Sequence, residues 1–311
     1  MTAPNSNFTQ VTAVTRKFFL PKLADNIFKA TPLLERAKRK GWYKKITGGT
    51  KVVIPLEYAI NSKFGWFSGA DTLTVADSDI ITAAEYDWKQ CYAPIVVTRI
   101  DELKNMGETR VVDFVKSKVK NAEKTMTQKL QEGMYSAGSV ATEIVGLRAH
   151  ISTSSTVGGI SQSANSWWAA QVDASTTTLT LAAMQTVFNN CSEGNDQPTV
   201  AVATKARYNS YYAALQPQQR FTDSETGKAG FTSLMFNGIP LISDSNASSS
   251  LSLMFLNEDY LHFLVHADED MVMTDFEDPI NQRVAVAKIF WAGAFGSSNN
   301  RFQGGFTALT A

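Results

Sequence analysis

His262 and His266 are the residues whose type and spacing come nearest to metal chemistry. They stand four positions apart, with Asp268, Glu269 and Asp270 close behind. Imidazoles at i and i+4 converge on one helix face and also share a strand face, and a neutral ring nitrogen from each suits zinc or another transition metal. A metal-dependent enzyme using His262/His266 is therefore the catalytic alternative to weigh. Against it, no His-Glu-x-x-His motif is present, and the run Phe255 to His266 reads as structural sequence with half-exposed polar positions. The third histidine, His150, neighbours no recognisable nucleophile. There is no Gly-x-Ser-x-Gly elbow, no Walker-type phosphate loop and no Gly-x-Gly-x-x-Gly turn, so backbone amides are not arranged to wrap a phosphate. Acidic clusters at Asp77/Asp79 and at Asp275/Glu277/Asp278 lack the glycine and terminal glutamate of a calcium loop. The reading is a chain that is not an enzyme, with no catalytic residue, no cofactor and no metal.

Composition supports a structural role. A chain of 311 residues can bury a sizeable core, and 44% hydrophobic with 19% charged residues is ordinary for a globular fold. Lys plus Arg and Asp plus Glu both number 29, so no global field pulls the chain toward nucleic acid or an anionic membrane. Cys91 and Cys191 lie a hundred positions apart without metal-type spacing, which fits buried thiols in a reducing compartment. The polar start, Met1 to Asn7, and the lack of an apolar run near the roughly 20 residues a bilayer requires point to an aqueous compartment and no membrane partner.

The elements that must position any site follow from periodicity. Between Phe18 and Lys45, Leu20, Leu23, Ile27, Leu33, Leu34 and Ala37 outline short helices, with Pro21 and Pro32 near their starts. A basic run, Arg36, Lys38, Arg39, Lys40, Lys44 and Lys45, closes this arm; its ordinary reading is a solvated helix face, and phosphate contact is the alternative. Lys51 to Tyr58 reads as an outgoing strand and Asp79 to Thr98 as the return leg, with Tyr86 and Trp88 sharing one sheet face. About twenty residues on each leg exceed an ordinary strand and suggest an arm reaching beyond the body. Its tip reads Phe64-Gly65-Trp66-Phe67-Ser68-Gly69. A short helical turn from Arg99 to Met106 follows.

Val111, Val115, Val119, Ala122, Met126, Leu130 and Met134 then recur at helical spacing, opposite Lys116, Lys118, Lys120, Lys124 and Lys129. From Thr109 to Tyr135 this spine helix would run roughly 40 Å at 1.5 Å per residue. Ser152 to Thr178, rich in Ser, Thr, Ala and Gly around Trp167-Trp168, reads as exposed connections into a second domain. Helices at Leu181–Cys191 and Lys205–Leu215, with strands at Pro198–Ala203, Ile239–Ser243 and Leu251–Leu256, describe an α/β or α+β unit. Asn281 to Phe295 and the apolar ending read as a terminal β-hairpin that packs on the spine.

Taken in order, the arm, the long hairpin, Val97-Thr-Arg-Ile-Asp-Glu-Leu103, the spine helix, Glu143-Ile-Val-Gly-Leu147 and the ending Gly-Gly-Phe-Thr-Ala-Leu resemble the major capsid proteins of tailed bacteriophages. The resemblance covers nearly the whole chain and is one of element order. It implies an α+β fold of the Hong Kong 97 type: an N-terminal arm over 1–46, an extended loop over 47–98 with its tip at 61–76, a peripheral domain over 99–144 and 276–311 with a spine helix at 109–135, and an axial domain over 145–275. It implies a virion subunit that assembles in the host cytoplasm as pentamers and hexamers, into an icosahedral shell around double-stranded DNA. Lys63, Phe64, Trp66 and Phe67 would contact a neighbouring subunit. Arg36, Lys38, Arg39, Lys40, Lys116, Lys120 and Lys124 would face DNA by nonspecific contact. No room for a cleaved scaffolding segment precedes the arm, which implies a separate scaffolding protein, and a portal would complete the shell. Some members cross-link a loop lysine to a neighbour's asparagine; here the candidates are Lys63 with Asn299 or Asn300. An encapsulin-like compartment is the alternative on the same fold.

Overall fold

The computed structural model describes residues 32–104, 114–215, 234–247, 249–279 and 281–309. The expected helical residues Leu20, Leu23 and Ile27, with Pro21, lie outside them, as do Met106 and Thr109 to Asp113 at the expected start of the spine.

In chain order, helix α1 (Pro32–Lys40) begins on a proline, whose fixed φ and missing N–H suit a first helical turn. Strands β1 (Tyr43–Ile46), β2 (Val52–Glu57), β3 (Ile81–Tyr86) and β4 (Lys89–Thr98) follow, then helices α2 (Arg99–Lys104) and α3 (Phe114–Met134). Helix α4 (Leu147–His150) precedes β5 (Thr156–Val157), β6 (Ile160–Ser161) and β7 (Gln171–Asp173). Next come α5 (Leu181–Asn190), β8 (Val200–Ala203), α6 (Lys205–Leu215), β9 (Leu234–Phe236), β10 (Ile239–Ser243) and β11 (Leu253–Leu256). Strands β12 (Leu261–Met273), β13 (Val284–Ser297) and β14 (Gly304–Phe306) complete the set. The strands form a four-stranded sheet β1-β12-β13-β4, a six-stranded sheet β7-β14-β11-β8-β10-β9, and the two-stranded ribbons β2-β3 and β5-β6.

The chain divides into two compact units. Among the described residues the smaller gathers Ala93–Thr125 and Met273–Ile289. Here Ala93, Ile95 and Val97 are buried while the residues between them are exposed, the period-2 signature of a half-covered strand. Thr98 Oγ1 accepts from the Asp101 amide, and Lys118 of α3 donates to the Val96 carbonyl at 2.6 Å. Glu277 and Val286 exchange both backbone hydrogen bonds, at 3.0 and 2.9 Å.

The larger unit holds Lys29–Tyr92, Met126–Val272 and Phe290–Ala311. Its main core lies on the six-stranded sheet, where Val200, Ala201, Val202 and Ala203 are all buried, and Ala201 and Ala203 share one cluster with Met184, Val187 and Phe188 of α5 and Tyr211 of α6. A strand buried on both faces reads as a continuous apolar run, which is how this one stood out in sequence. Met126, Leu130 and Met134 of α3 are buried as the spacing predicts, each contributing on the order of 1.5–3 kcal/mol.

Three expectations are corrected. The return leg is not one strand: β3 pairs antiparallel with β2, from Val52↔Tyr86 to Glu57↔Ile81, whereas β4 joins the four-stranded sheet. Asp87-Trp88 is the break, so Trp88 lies in no strand, although it and Tyr86 still pack on one buried cluster. The Ser/Thr/Gly-rich stretch is not merely exposed connection, because Val157, Gln162, Trp168 and Ala170 are buried, with Trp168 Nε1 donating to the Val157 carbonyl. The ending is not a hairpin on the spine. β14 pairs with β11 antiparallel and with β7 parallel inside the six-stranded sheet. Its glycine permits this, since a Cβ on Gly304 would lie 2.3 Å from Cys191 Sγ.

Candidate assembly surface

The ribbon β2-β3 carries a long loop, and its foot is built to hold it. Val52, Leu56, Ala84 and Tyr86 pack with Ala149, Val157, Trp168, Leu264 and Ala294 in one buried cluster. Tyr86 donates its hydroxyl proton to the Ser297 carbonyl at 2.8 Å and accepts from the Ser297 amide at 3.0 Å. Burial pushes that phenol far above its ordinary range, so it stays a protonated, neutral donor. Its ring stacks on His150 at 6.1 Å, and burial pulls that imidazole down to about 4, partly opposed by its hydrogen bond with the Gly146 carbonyl. The carbonyl accepts, so Nδ1 carries the proton and Nε2 is a buried acceptor without a partner among the described residues. Gly158, at φ +62°, brings the β5-β6 turn so close that a Cβ would lie 2.7 Å from that of Ala84. Its carbonyl accepts from the Glu85 amide at 3.0 Å.

Beyond the foot the loop has a neck. Ser78 Oγ donates to Asn61 Oδ1 at 3.2 Å, and Ser62 and Ser78 hydroxyls meet at 3.3 Å. From Asn61 to Asp77 every residue is exposed. Phe64 is 73%, Trp66 93% and Phe67 65% exposed, with Ile60, Leu73 and Val75 also in water. Phe64 and Trp66 meet edge to face at 5.6 Å. A run of apolar side chains held out on a loop is costly in a monomer and marks an interaction surface. Lys63, Phe64, Trp66 and Phe67, expected at a contact with a neighbouring subunit, are thus all exposed, and Lys63 has no ion pair among the described residues.

The other expected residues fall differently. Arg36 does not face solvent: it is 8% exposed and pairs bidentately with the buried Glu258, both contacts at 2.7 Å, with Thr199 donating to the same carboxylate. The helical period turns position 36 inward with Leu33, Leu34 and Ala37, and an unpaired charge there would not be tolerated, so its partner had to be supplied from far along the chain. Lys38, Arg39 and Lys40 are exposed, Lys38 lying over the Tyr43 ring at 5.1 Å from its centre. Lys116 and Lys120 are exposed and Lys124 half-buried, in one stripe of α3. Asn300 is fully buried and so is removed from cross-linking; Asn299 is half-buried.

His262 and His266 do not converge. On an extended strand i and i+4 stand roughly 13 Å apart, too far for one ion. His262 Nε2 lies 3.3 Å from Ser298 Oγ, while His266 packs edge-on against Trp88 at 5.6 Å. Among the described residues no three His, Cys, Asp or Glu side chains gather as a metal site, and no helix is long and apolar enough to cross a membrane.

Sequence reasoning missed the foot of the ribbon. The signals were Trp167-Trp168 and Gly158-Gly159 inside a stretch whose composition suggested loop.

No protein-family model matches the chain, and no curated protein does. Solved structures match along nearly all of it. A cyanophage A-1(L) capsid subunit aligns over 96% of this chain and 98% of its own, at TM-score 0.70 and 16% identity. The fold is the Hong Kong 97 shell fold. The capsid subunit of a native GTA particle, covering 99% of this chain and 100% of its own, gives TM-score 0.69 at 10% identity. The SrpI encapsulin of Synechococcus elongatus PCC 7942 carries the same shell fold at TM-score 0.62 and 8% identity, over 96% of this chain and 94% of its own. At these identities the shared property is the fold.

Proposed function

We propose that this chain is a major capsid protein, a noncatalytic subunit that self-assembles as pentamers and hexamers into an icosahedral virion shell around double-stranded DNA. The observation that carries the reading is the loop of exposed aromatics on a body with the shell fold: none of the described residues covers them, and a neighbouring copy would. In this reading residues 1–46 are the arm, 47–98 the extended loop, 99–144 with 276–311 the peripheral domain, and 145–275 the axial domain. The strand β14 is then a C-terminal piece lent to the axial sheet. Binding energy is spread over many weak repeated interfaces, with Phe64, Trp66 and Phe67 as rigid anchors.

Lys38, Arg39, Lys40, Lys116, Lys120 and Lys124 supply nonspecific contact with packaged DNA, and Arg36 is withdrawn from that set. A separate scaffolding protein and a portal are the expected assembly partners, in the host cytoplasm. Electron microscopy of the purified chain, alone and with its scaffold, tests the reading. Closed shells are expected, and monomers under every condition would overturn it. An encapsulin-like compartment rests on the SrpI likeness, at a lower TM-score than the capsids. Shells that carry a co-purifying cargo enzyme and no DNA would favour that second reading.

A further inference from the structure

A cavity of about 730 Å³ opens on the larger unit between the start of β4, the last turns of α3 and the segment Thr142–Ile144. Its walls include Cys91, Leu130, Gly133, Ile144 and Trp291, and exposed Tyr92 stands at its mouth. The volume falls in the range, roughly 300–1,000 Å³, that encloses a ligand of drug size, so it has room for aromatic side chains. The mouth carries charges of both signs: Lys89 donates to the Ala141 carbonyl at 2.6 Å, Lys129 pairs with Glu132, and the carboxylate of exposed Glu143 accepts from the Ser136 hydroxyl at 3.3 Å. None of this chain's loop-tip aromatics occupies it, since all are in solvent.

We infer that the cavity is the seat for the Phe64-Trp66 pair of a second copy of this chain, with that copy's Lys63 against Glu143. Three observations converge. The tip offers two aromatics already packed against each other at 5.6 Å, so little side-chain freedom is lost on docking. The cavity offers aromatic and aliphatic walls, with Tyr92 tilted onto Phe290 at 6.5 Å at its rim. The charges leave room for one ion pair: among the described residues Lys63 has none, and with Lys89 and Lys129 bonded elsewhere the Glu143 carboxylate has no cation. Giver and receiver are different surfaces, so the contact is head-to-tail, and such contacts close into rings when the rotation allows. The inference rests on the shell reading and deepens it by naming the receiving site.

The chain's two cysteines make a direct test. Cys191 is fully buried, whereas Cys91 is half-buried in the cavity wall. Gly65, between the two anchor aromatics, has open space around a new Cβ and no left-handed backbone, so Gly65→Cys leaves every aromatic in place. Shells of this variant are oxidised with copper phenanthroline, and a short bismaleimide is used in parallel. Burial holds the Cys91 thiol up at about 11, so the oxidation is run at alkaline pH, while the maleimide reaction is kept near neutral pH, where it spares lysines, and is given longer. The expected result is a ladder of linked subunits on a denaturing gel, absent when Cys91→Ser is added. Intact shells that yield only monomer with both reagents, or a ladder that survives Cys91→Ser, would overturn the seat while leaving the shell reading standing. As a second arm, Lys63→Glu and Glu143→Lys should each lower particle yield and together restore it. If the doubly exchanged chain assembles no better than either single variant, the ionic part of the inference is wrong.

Discussion

His150 shows how one buried side chain writes a pH dependence into the subunit. Its folded pKa of about 4 lies below the ordinary 6.5, so between those values the unfolded chain binds more protons than the folded one. Stability from this group is complete above about 6.5 and is lost as pH falls toward 4, a difference on the order of 3 kcal/mol. Urea titrations of the dissociated subunit at pH 7 and pH 4 measure it. In the variant His150→Gln the drop should shrink, and an unchanged drop would assign acid lability to the carboxylates instead. Gly158→Ala should destabilise the subunit by about 1–3 kcal/mol in the same assay, because φ +62° and the 2.7 Å approach to Ala84 both exclude a side chain. Neither role could be read from sequence. His150 stood alone without a nucleophile, and a glycine in a Ser/Gly-rich run looks like loop until the strand it touches is known. The exposure of the tip aromatics was readable, because they stand among glycine and serine in a run without strand or helix period.

At the scale of elements, sequence carried the helices and lost the strand partners. The spine's apolar repeat and the Pro32 start are local signals, and α3 and α1 appear where they point. The return leg could not be divided by pattern alone: β3 and β4 have similar composition, and only the sheets they join separate them. The inward turn of Arg36 was equally hidden, since its partner Glu258 lies 222 positions away. That pair fastens α1 to the body, and truncating one member strands the other's charge. Arg36→Met should therefore cost about 3–5 kcal/mol in denaturant unfolding, and adding Glu258→Leu should recover part of it. If the double variant is no more stable than the single, the pair does more than neutralise a buried charge.

At the scale of the whole molecule, the proposed function gives the loop and the body separable tasks. Replacing Trp66 and Phe67 with Ser removes two side chains that touch little in the subunit, so its unfolding free energy should hold within about 0.5 kcal/mol. Assembly should suffer, because an interfacial anchor is worth about 2 kcal/mol or more, roughly thirtyfold in each contact. Sedimentation of assembly reactions measures this, and normal shells from the double variant would show that the tip is not an anchor. Charge reversal at Lys116, Lys120 and Lys124 should lower DNA retained in particles without reducing the number of empty shells. Equal DNA content in both would move the contact elsewhere. The fold class was readable as a sequence of elements, whereas how the six-stranded sheet closes was not, because Gly304–Phe306 is too short to announce itself as a strand.

That short strand has a consequence in time. β14 lies between β7 and β11, yet it follows every other strand of its sheet along the chain. During synthesis from the N-terminus, β11 must wait with one edge open, and β7 has no place in the sheet until β14 emerges. An open edge invites pairing with the wrong chain. Where very many copies are made at once, the cell's chaperones would have their work at this gap, and slowing translation before Gly304 should increase the insoluble fraction.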